Sequence, residues 1–237
     1  MTRRRWIADE AWDNRAALTG AHAAHLSRTL RARVGQEFEV VCGTQVRRAT
    51  VASVTDERVE FALGEEIAAR TAAPTTLLLA VFKFDRMEWA VEKCTELNVS
   101  TIVPVIARRT EKHLALAAEK RVERWRRIAR EASEQARRVA PPDIVDPMKL
   151  SAALDIAADW RIVLAESERE AQLNEILRER QEAHSLALAI GPEGGWTADE
   201  LQTFDRSGWI TASLGETILR AETAAIAAVA VARAEMG

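Results

Sequence analysis

Two short segments of this chain could bring main chain, rather than reactive side chains, to a ligand. The first reads Leu188-Ala189-Ile190-Gly191-Pro192-Glu193-Gly194-Gly195-Trp196, an apolar run broken by glycines and a proline. Glycine lets the backbone approach a bound molecule closely and turn through positive φ, although the same residues would also make a plain strand-to-helix turn. The second reads Leu214-Gly215-Glu216-Thr217-Ile218-Leu219-Arg220-Ala221-Glu222-Thr223-Ala224. Gly215 again follows an apolar run. The Ile218-Leu219 pair in a loop calls for a cover of protein or ligand. Arg220 and Glu222 flank the start of a nearly all-apolar helix, so they form either an internal ion pair or part of a site.

Other chemistries lack their residues. No G-x-G-x-x-G or G-x-x-x-x-G-K-[ST] run offers a phosphate cradle. Cys42 and Cys94 are far apart and belong to no Cys/His set with zinc spacing. No Ser, His and acid form a known nucleophile motif. What remains is a pocket of amides, carbonyls and apolar side chains, suited to a nucleoside-type ligand and needing no metal.

Such segments work only at the ends of strands, and the rest of the chain supplies them. From residue 75 onward strand and helix patterns alternate. Strands are read at 75–83, 101–106, 161–165, 185–190 and 209–214. Helices are read around Met87, Ala90, Val91, Cys94 and Leu97, and at 119–138, 170–183 and 222–236. Thr197-Ala198-Asp199-Glu200 is a capping box that opens one more helix. Strands apolar throughout and alternating with helices imply a parallel sheet covered on both faces, and ligands bind such sheets at the carboxyl ends of the strands. Residues 1–72 differ. Short β-type runs at 38–41, 48–54 and 58–63, with one helix at 20–30, suggest a small barrel. Ala72-Ala73-Pro74 marks the boundary, giving domains at 1–72 and 73–237.

Composition is that of a globular protein, 48% hydrophobic and 29% charged. The longest apolar run, residues 224–232, is too short to span a bilayer, and the N-terminus has no signal-peptide pattern, so a reduced cytoplasm is expected. The net charge of -3 hides an asymmetry: residues 108–138 hold eleven Lys/Arg against five acids, residues 143–207 six against fourteen. Residues 1–48 are also basic. A polyanion would bind the basic regions and avoid the acidic one, whereas a solvated helix laced with ion pairs would show the same charges at 119–138.

The glycine segment 191–195 and the run Leu214-Gly215-x-x-Ile218-Leu219-Arg220-x-Glu222-Thr223-Ala224 together resemble the bacterial ribosomal small subunit methyltransferase E family, of the SPOUT superfamily. The resemblance extends in order along nearly the whole chain. It includes His25-Leu26-x-Arg28-x-Leu30-Arg31, Gly35-x-x-Phe38, Lys83-x-x-Arg86-Met87-Glu88-Trp89, Lys93-Cys94-Thr95-Glu96-Leu97, Arg108-Arg109-Thr110 and Arg124-Trp125-x-x-Ile128-x-x-Glu131-Ala132-x-Glu134-Gln135. Three positions depart from the family pattern: Arg137 and Asn98 stand where glycine is usual, and Ala24 replaces the first of a His-His pair.

The resemblance implies a PUA-like RNA-binding β-barrel followed by a SPOUT α/β domain with a parallel sheet and a deep trefoil knot. It implies a homodimer that uses S-adenosylmethionine, with no metal and no membrane, to methylate N3 of a uridine in 16S ribosomal RNA or the small ribosomal subunit. Cofactor contacts are then expected from Leu164, Ala189, Ile190, Gly191, Pro192, Gly194, Gly195, Leu214, Gly215, Ile218, Leu219 and Thr223. RNA contacts are expected from Arg28, Arg31, Lys83, Arg86, Arg108, Arg109 and Arg138. For catalysis, Arg220 would stabilise charge on the uracil carbonyls, and Glu222 would accept the N3 proton or simply hold Arg220. Trp125, spaced with Ile128 and Ala132, reads as core, and His113 and His184 as surface residues. Action on another RNA, a non-catalytic ribosome-assembly role, and a nucleotide-dependent enzyme are the alternatives; the intact glycine segments oppose the second and the missing phosphate motif the third.

Overall fold

The computed structural model describes residues 5–67, 73–179 and 184–236. These group into two units, one of residues 5–67 with residues 130–141, the other of residues 73–129 and those from 142 onward. Residue 72 of the expected boundary and the end of the expected helix at 170–183 lie outside the described residues, as do Arg3 and Arg4.

The first unit contains β1 (Arg5–Ile7), β2 (Glu10–Trp12), β3 (Arg15–Thr19), α1 (Gly20–Ala24), a π turn over His25–Thr29, β4 (Glu37–Cys42), β5 (Gln45–Val54) and β6 (Arg58–Ile67). They form one six-stranded mixed half-barrel in the order β1-β4-β5-β6-β3-β2. Its pairings are antiparallel except β1 with β4. Register shifts in β5 bend the sheet around Trp6, Leu18, Leu26, Phe38, Val40, Val51 and Phe61. Strands β4 to β6 are those the alternating runs predict. β1 to β3 carry no such signal: they are three to five residues long, and β2 is exposed throughout. Within this unit Arg130 Nη2 donates to the Ile7 carbonyl at 2.9 Å and to Asp9 at 2.7 Å, and Arg137 donates to Glu39 at 2.9 Å.

The second unit runs β7 (Thr75–Ala80), α2 (Phe84–Glu96), β8 (Thr101–Ile106), α3 (Lys112–Ala117), α4 (Val122–Gln135, its last residues grouping with the first unit), β9 (Asp143–Ile144), β10 (Met148–Lys149), α5 (Leu150–Ala153), β11 (Trp160–Leu164), α6 (Leu173–Arg178), β12 (Leu186–Ile190), α7 (Ala198–Arg206), β13 (Ile210–Ala212) and α8 (Ala221–Met236). The sheet is parallel throughout, in the order β10-β8-β7-β12-β11-β13, with β9 also on β8. Alternate residues of each buried strand face opposite layers. Leu77, Leu79, Leu188 and Ile190 pack with α2 and α8. Leu78, Ala80, Ala187 and Ala189 pack with Trp196, Phe204 and Trp209. Trp125 is fully buried beside Phe84, as its spacing predicts. Among the described residues, no helix is long and apolar enough to cross a membrane.

The helix expected over 119–138 is shorter, a 3-10 turn at Glu119–Arg121 followed by α4, which stops at Gln135. Arg137 explains the stop, with φ at +59°. Asn98, just after α2, has φ at +69°. Both positions, at which the resemblance leads us to expect glycine, are therefore left-handed turns that end a helix, where glycine carries no Cβ penalty.

Candidate functional site

All the strands of the second sheet are parallel, so their carboxyl ends share one edge. Three neighbouring ends there, those of β11, β12 and β13, enclose a cavity of about 250 Å³. Each of its walls is built differently.

The wall after β12 is the glycine loop. The Gly195 N–H donates to the Pro192 carbonyl at 2.8 Å and closes a tight turn. A Cβ on Gly191 would sit 3.3 Å from Trp196 Nε1 and 3.4 Å from the Gly195 backbone, so any side chain there is crowded and a larger one needs its neighbours to move. Arg109, beyond β8, braces this wall: its Nη1 donates to the Gly194 carbonyl at 2.5 Å and reaches the Trp196 carbonyl at 3.4 Å. Beneath it Trp196, Phe204 and Trp209 pack edge to face, with centroids 4.9 and 5.2 Å apart. The predicted capping box opens α7, with Thr197 Oγ1 accepting from the Glu200 N–H at 3.3 Å and Glu200 accepting from the Thr197 N–H at 2.9 Å. Glu200 also accepts from the Arg108 N–H at 2.8 Å, which fixes the end of β8 to the start of α7.

The wall after β13 is open by contrast. Gly215 has φ at +116°, yet a Cβ there would meet nothing within 4 Å. Ser213 Oγ accepts from the Gly215 N–H at 3.2 Å. Ile218 is 75% exposed, an apolar side chain at the cavity with no cover of its own. The wall after β11 carries Ala165, Glu166, Ser167 and Arg169. Glu168 holds this turn by accepting from the N–H groups of Ala171, Glu170 and Arg169. Those bonds, Ala171 foremost, hold its carboxyl below the ordinary glutamate range. Ala171 in turn accepts from the Ser213 N–H at 2.8 Å, linking this turn to the β13 wall.

Of the residues expected at the cofactor, Leu164, Ile190, Gly191, Pro192, Gly194, Gly195, Leu214, Gly215, Ile218 and Leu219 line the cavity. Ala189 and Thr223 do not. Ala189 has the opposite strand parity and packs toward Phe204, and Thr223 is on the exposed side of α8. Arg220 and Glu222 are outside the lining too, and they are not an ion pair. Glu222 is buried, its Oε1 lies 3.8 Å from Arg86 Nε, and its Oε2 has no hydrogen-bond partner. Arg220 is exposed between Leu219 and Ala221, both of which line the cavity.

The basic residues expected at RNA are dispersed. Arg109 lines the cavity, and Arg86 donates to Glu193 at 2.6 Å. Lys83 is exposed at the start of α2, and exposed Arg108 pairs with Asp199 at 3.1 Å. In the first unit Arg28 pairs with Asp56 at 2.9 Å, exposed Arg31 has φ at +52°, and Arg138 is half-buried. Sequence reasoning named Trp196 only as the end of the first glycine segment, and passed over Glu166, Ser167 and Arg169. The signal for the last three was the end of the apolar strand at Leu164, where the strand-end rule applies as it does after β12. Among the described residues no group of His, Cys, Asp or Glu could hold a metal ion.

The comparisons with known proteins agree with this arrangement. Residues 69–233 match the profile of the RNA methyltransferase domain family. The ribosomal RNA small subunit methyltransferase E of a Synechocystis strain is 31% identical over 217 residues, covering 90% of this chain and 71% of that one. This chain belongs to the ribosomal RNA small subunit methyltransferase E family. The family's protein from Rickettsia conorii is 30% identical over 229 residues, 94% of this chain and 91% of its own. The crystal structure of a family member from Neisseria gonorrhoeae bound to S-adenosyl methionine superposes with a TM-score of 0.87 at 28% identity, over 98% of each chain. The two-unit fold is thus shared with a structure of this family of RNA methyltransferases.

Proposed function

We propose that this chain uses S-adenosylmethionine to methylate N3 of one uridine in 16S ribosomal RNA. The observation that carries the reading is the joining of two glycine-bearing strand ends, 191–195 and 214–219, around one cavity in a chain of this family.

The residues present fit the cofactor. Gly191, Gly194 and Gly195 line the cavity without side chains, so main chain can approach a flat nucleoside closely. The buried Trp196 Nε1 has no partner, and Ile218 and Leu219 offer apolar cover. S-adenosylmethionine supplies an electrophilic methyl group on a sulfonium. The protein's part is positioning and charge. N3 of uridine carries a proton, and its loss leaves negative charge on the ring and carbonyls. Arg220, exposed next to the lining, stabilises that charge. N3 also takes part in base pairing, so the target must be unpaired or flipped out. Lys83, Arg108 and Arg109 in the second unit, and Arg28, Arg31 and Arg138 in the first, hold phosphates. In this reading residues 1–72 form the PUA-like RNA-binding domain and residues 73–237 the methyltransferase domain. The latter carries a trefoil knot and pairs with a second copy, and the enzyme works in the cytoplasm. These points rest on likeness to the family.

Purified protein should bind S-adenosylmethionine in calorimetry without added metal. With that cofactor and small subunits from a strain lacking the enzyme, digestion and mass spectrometry should yield N3-methyluridine. A methyl group on another base or on a ribose oxygen would overturn the position assigned.

A further inference from the structure

Arg86 is in the first turn of α2, outside the cavity. Its Nη1 donates to Glu193 Oε1 at 2.6 Å, and its Nε lies 3.8 Å from Glu222 Oε1. Glu193 belongs to the glycine loop. Glu222 is the second residue of α8 and directly follows the loop that forms the β13 wall. One guanidinium therefore hydrogen-bonds the carboxylate of one wall and lies within ion-pair distance of the carboxylate that follows the other.

The two carboxylates differ in their need for it. Glu193 is 28% exposed, whereas the Glu222 side chain is 3% exposed and its Oε2 accepts no hydrogen bond. The start of a helix favours an acid, but a buried carboxylate also depends on a nearby cation. Among the described residues Arg86 is the only cation recorded within 4 Å of it. A planar guanidinium can serve two carboxylates at once from different nitrogens, which a lysine ammonium does less well.

We propose that Arg86 is a positioning residue: it ties the glycine loop, through Glu193, to the first turn of α8, through Glu222, and so sets the gap between two walls of the cofactor cavity. The role rests on reading that cavity as the S-adenosylmethionine site. It gives Glu222 a structural task and makes Arg86 neither a phosphate contact nor a catalytic residue.

The test compares Arg86→Ala, Arg86→Lys, Glu193→Gln and the double variant Arg86→Ala with Glu222→Met. Calorimetry reads S-adenosylmethionine affinity, melting reads stability, and filter binding reads affinity for 16S RNA without cofactor. Arg86→Ala should weaken cofactor binding at least tenfold and lower the melting temperature. Glu193→Gln should weaken binding severalfold with little change in melting, and Arg86→Lys should recover part of the affinity. The double variant should regain melting temperature but not cofactor affinity, because Glu193 is still untied. RNA affinity should change less than twofold throughout. Recovery of both properties in the double variant would reduce Arg86 to neutralising a buried charge and overturn the proposal. Unchanged cofactor affinity in Arg86→Ala, or lost RNA affinity alone, would overturn it as well. Absence of cofactor binding in the unsubstituted protein is a separate result, which overturns the reading of the cavity and this role with it.

Discussion

The loops at 191–196 and 213–219 line the same cavity and both contain glycine, but they hold their shape by different means. The first is pressed from behind. The Trp196 indole and the Gly195 backbone crowd a Cβ at Gly191, and Arg109 backs Gly194. The second has space at Gly215 and is held by its backbone conformation, with φ at +116°, and by the Ser213 hydroxyl, which bonds both the N–H and the carbonyl of Gly215. A glycine can thus be required because of its neighbours or because of its own torsion angles, and the two requirements respond differently to substitution.

Side-chain size should separate them. Gly191→Val overpacks the loop, which typically costs about 1–3 kcal/mol, so S-adenosylmethionine affinity should fall about ten- to a hundredfold, with Gly191→Ala clearly milder. At Gly215 the cost is torsional, of order 1–3 kcal/mol for either residue. Gly215→Ala and Gly215→Val should therefore weaken binding by nearly the same factor. Calorimetry on the four variants decides; a strong Val-over-Ala difference at Gly215 would break the distinction. Arg109→Ala removes the charged donor that braces the first loop. Because the residue is exposed, its loss should cost about 1 kcal/mol in cofactor affinity. Ile218→Ala should leave unfolding free energy within about 0.5 kcal/mol, as for other surface changes, while cofactor affinity drops severalfold because a ligand would cover this side chain. Equal effects on both would mean Ile218 is already packed.

The smallest effect concerns pH. Glu168 braces the turn linked to Ser213, and its folded carboxyl titrates below its ordinary value of 4.5. Its contribution is therefore complete above that value and is lost as pH falls through the lowered one. Backbone amide shifts of Arg169, Glu170 and Ala171 should titrate together in that acid range, and Glu168→Gln should abolish the step.

Both loops were legible in the sequence because glycine, proline and a change from apolar to polar residues punctuate them, and the strands and helices that present them follow from unbroken apolar runs and helical spacing. β1 to β3 were not legible, since exposed three-residue strands have no periodicity to detect. Side-chain direction at the ends of elements was also hidden: Ile190 reaches the cavity while Ala189 does not, and Thr223 points away from it. The resemblance places Arg86 among the RNA contacts; its contacts with Glu193 and Glu222 were hidden because those carboxylates come from segments far along the chain. For the same reason Glu222 was matched with nearby Arg220 rather than with Arg86.

Trp196 gives the cavity an optical consequence. The chain has seven tryptophans and no tyrosine. Trp6, Trp125 and Trp209 are sealed in the interior, whereas Trp196 lines the cavity with a free indole N–H. Ligand entry should change the polarity around this one buried indole more than around the others, so emission from the unlabelled protein can follow occupancy in a stopped-flow cell, and Trp196→Phe should silence the signal.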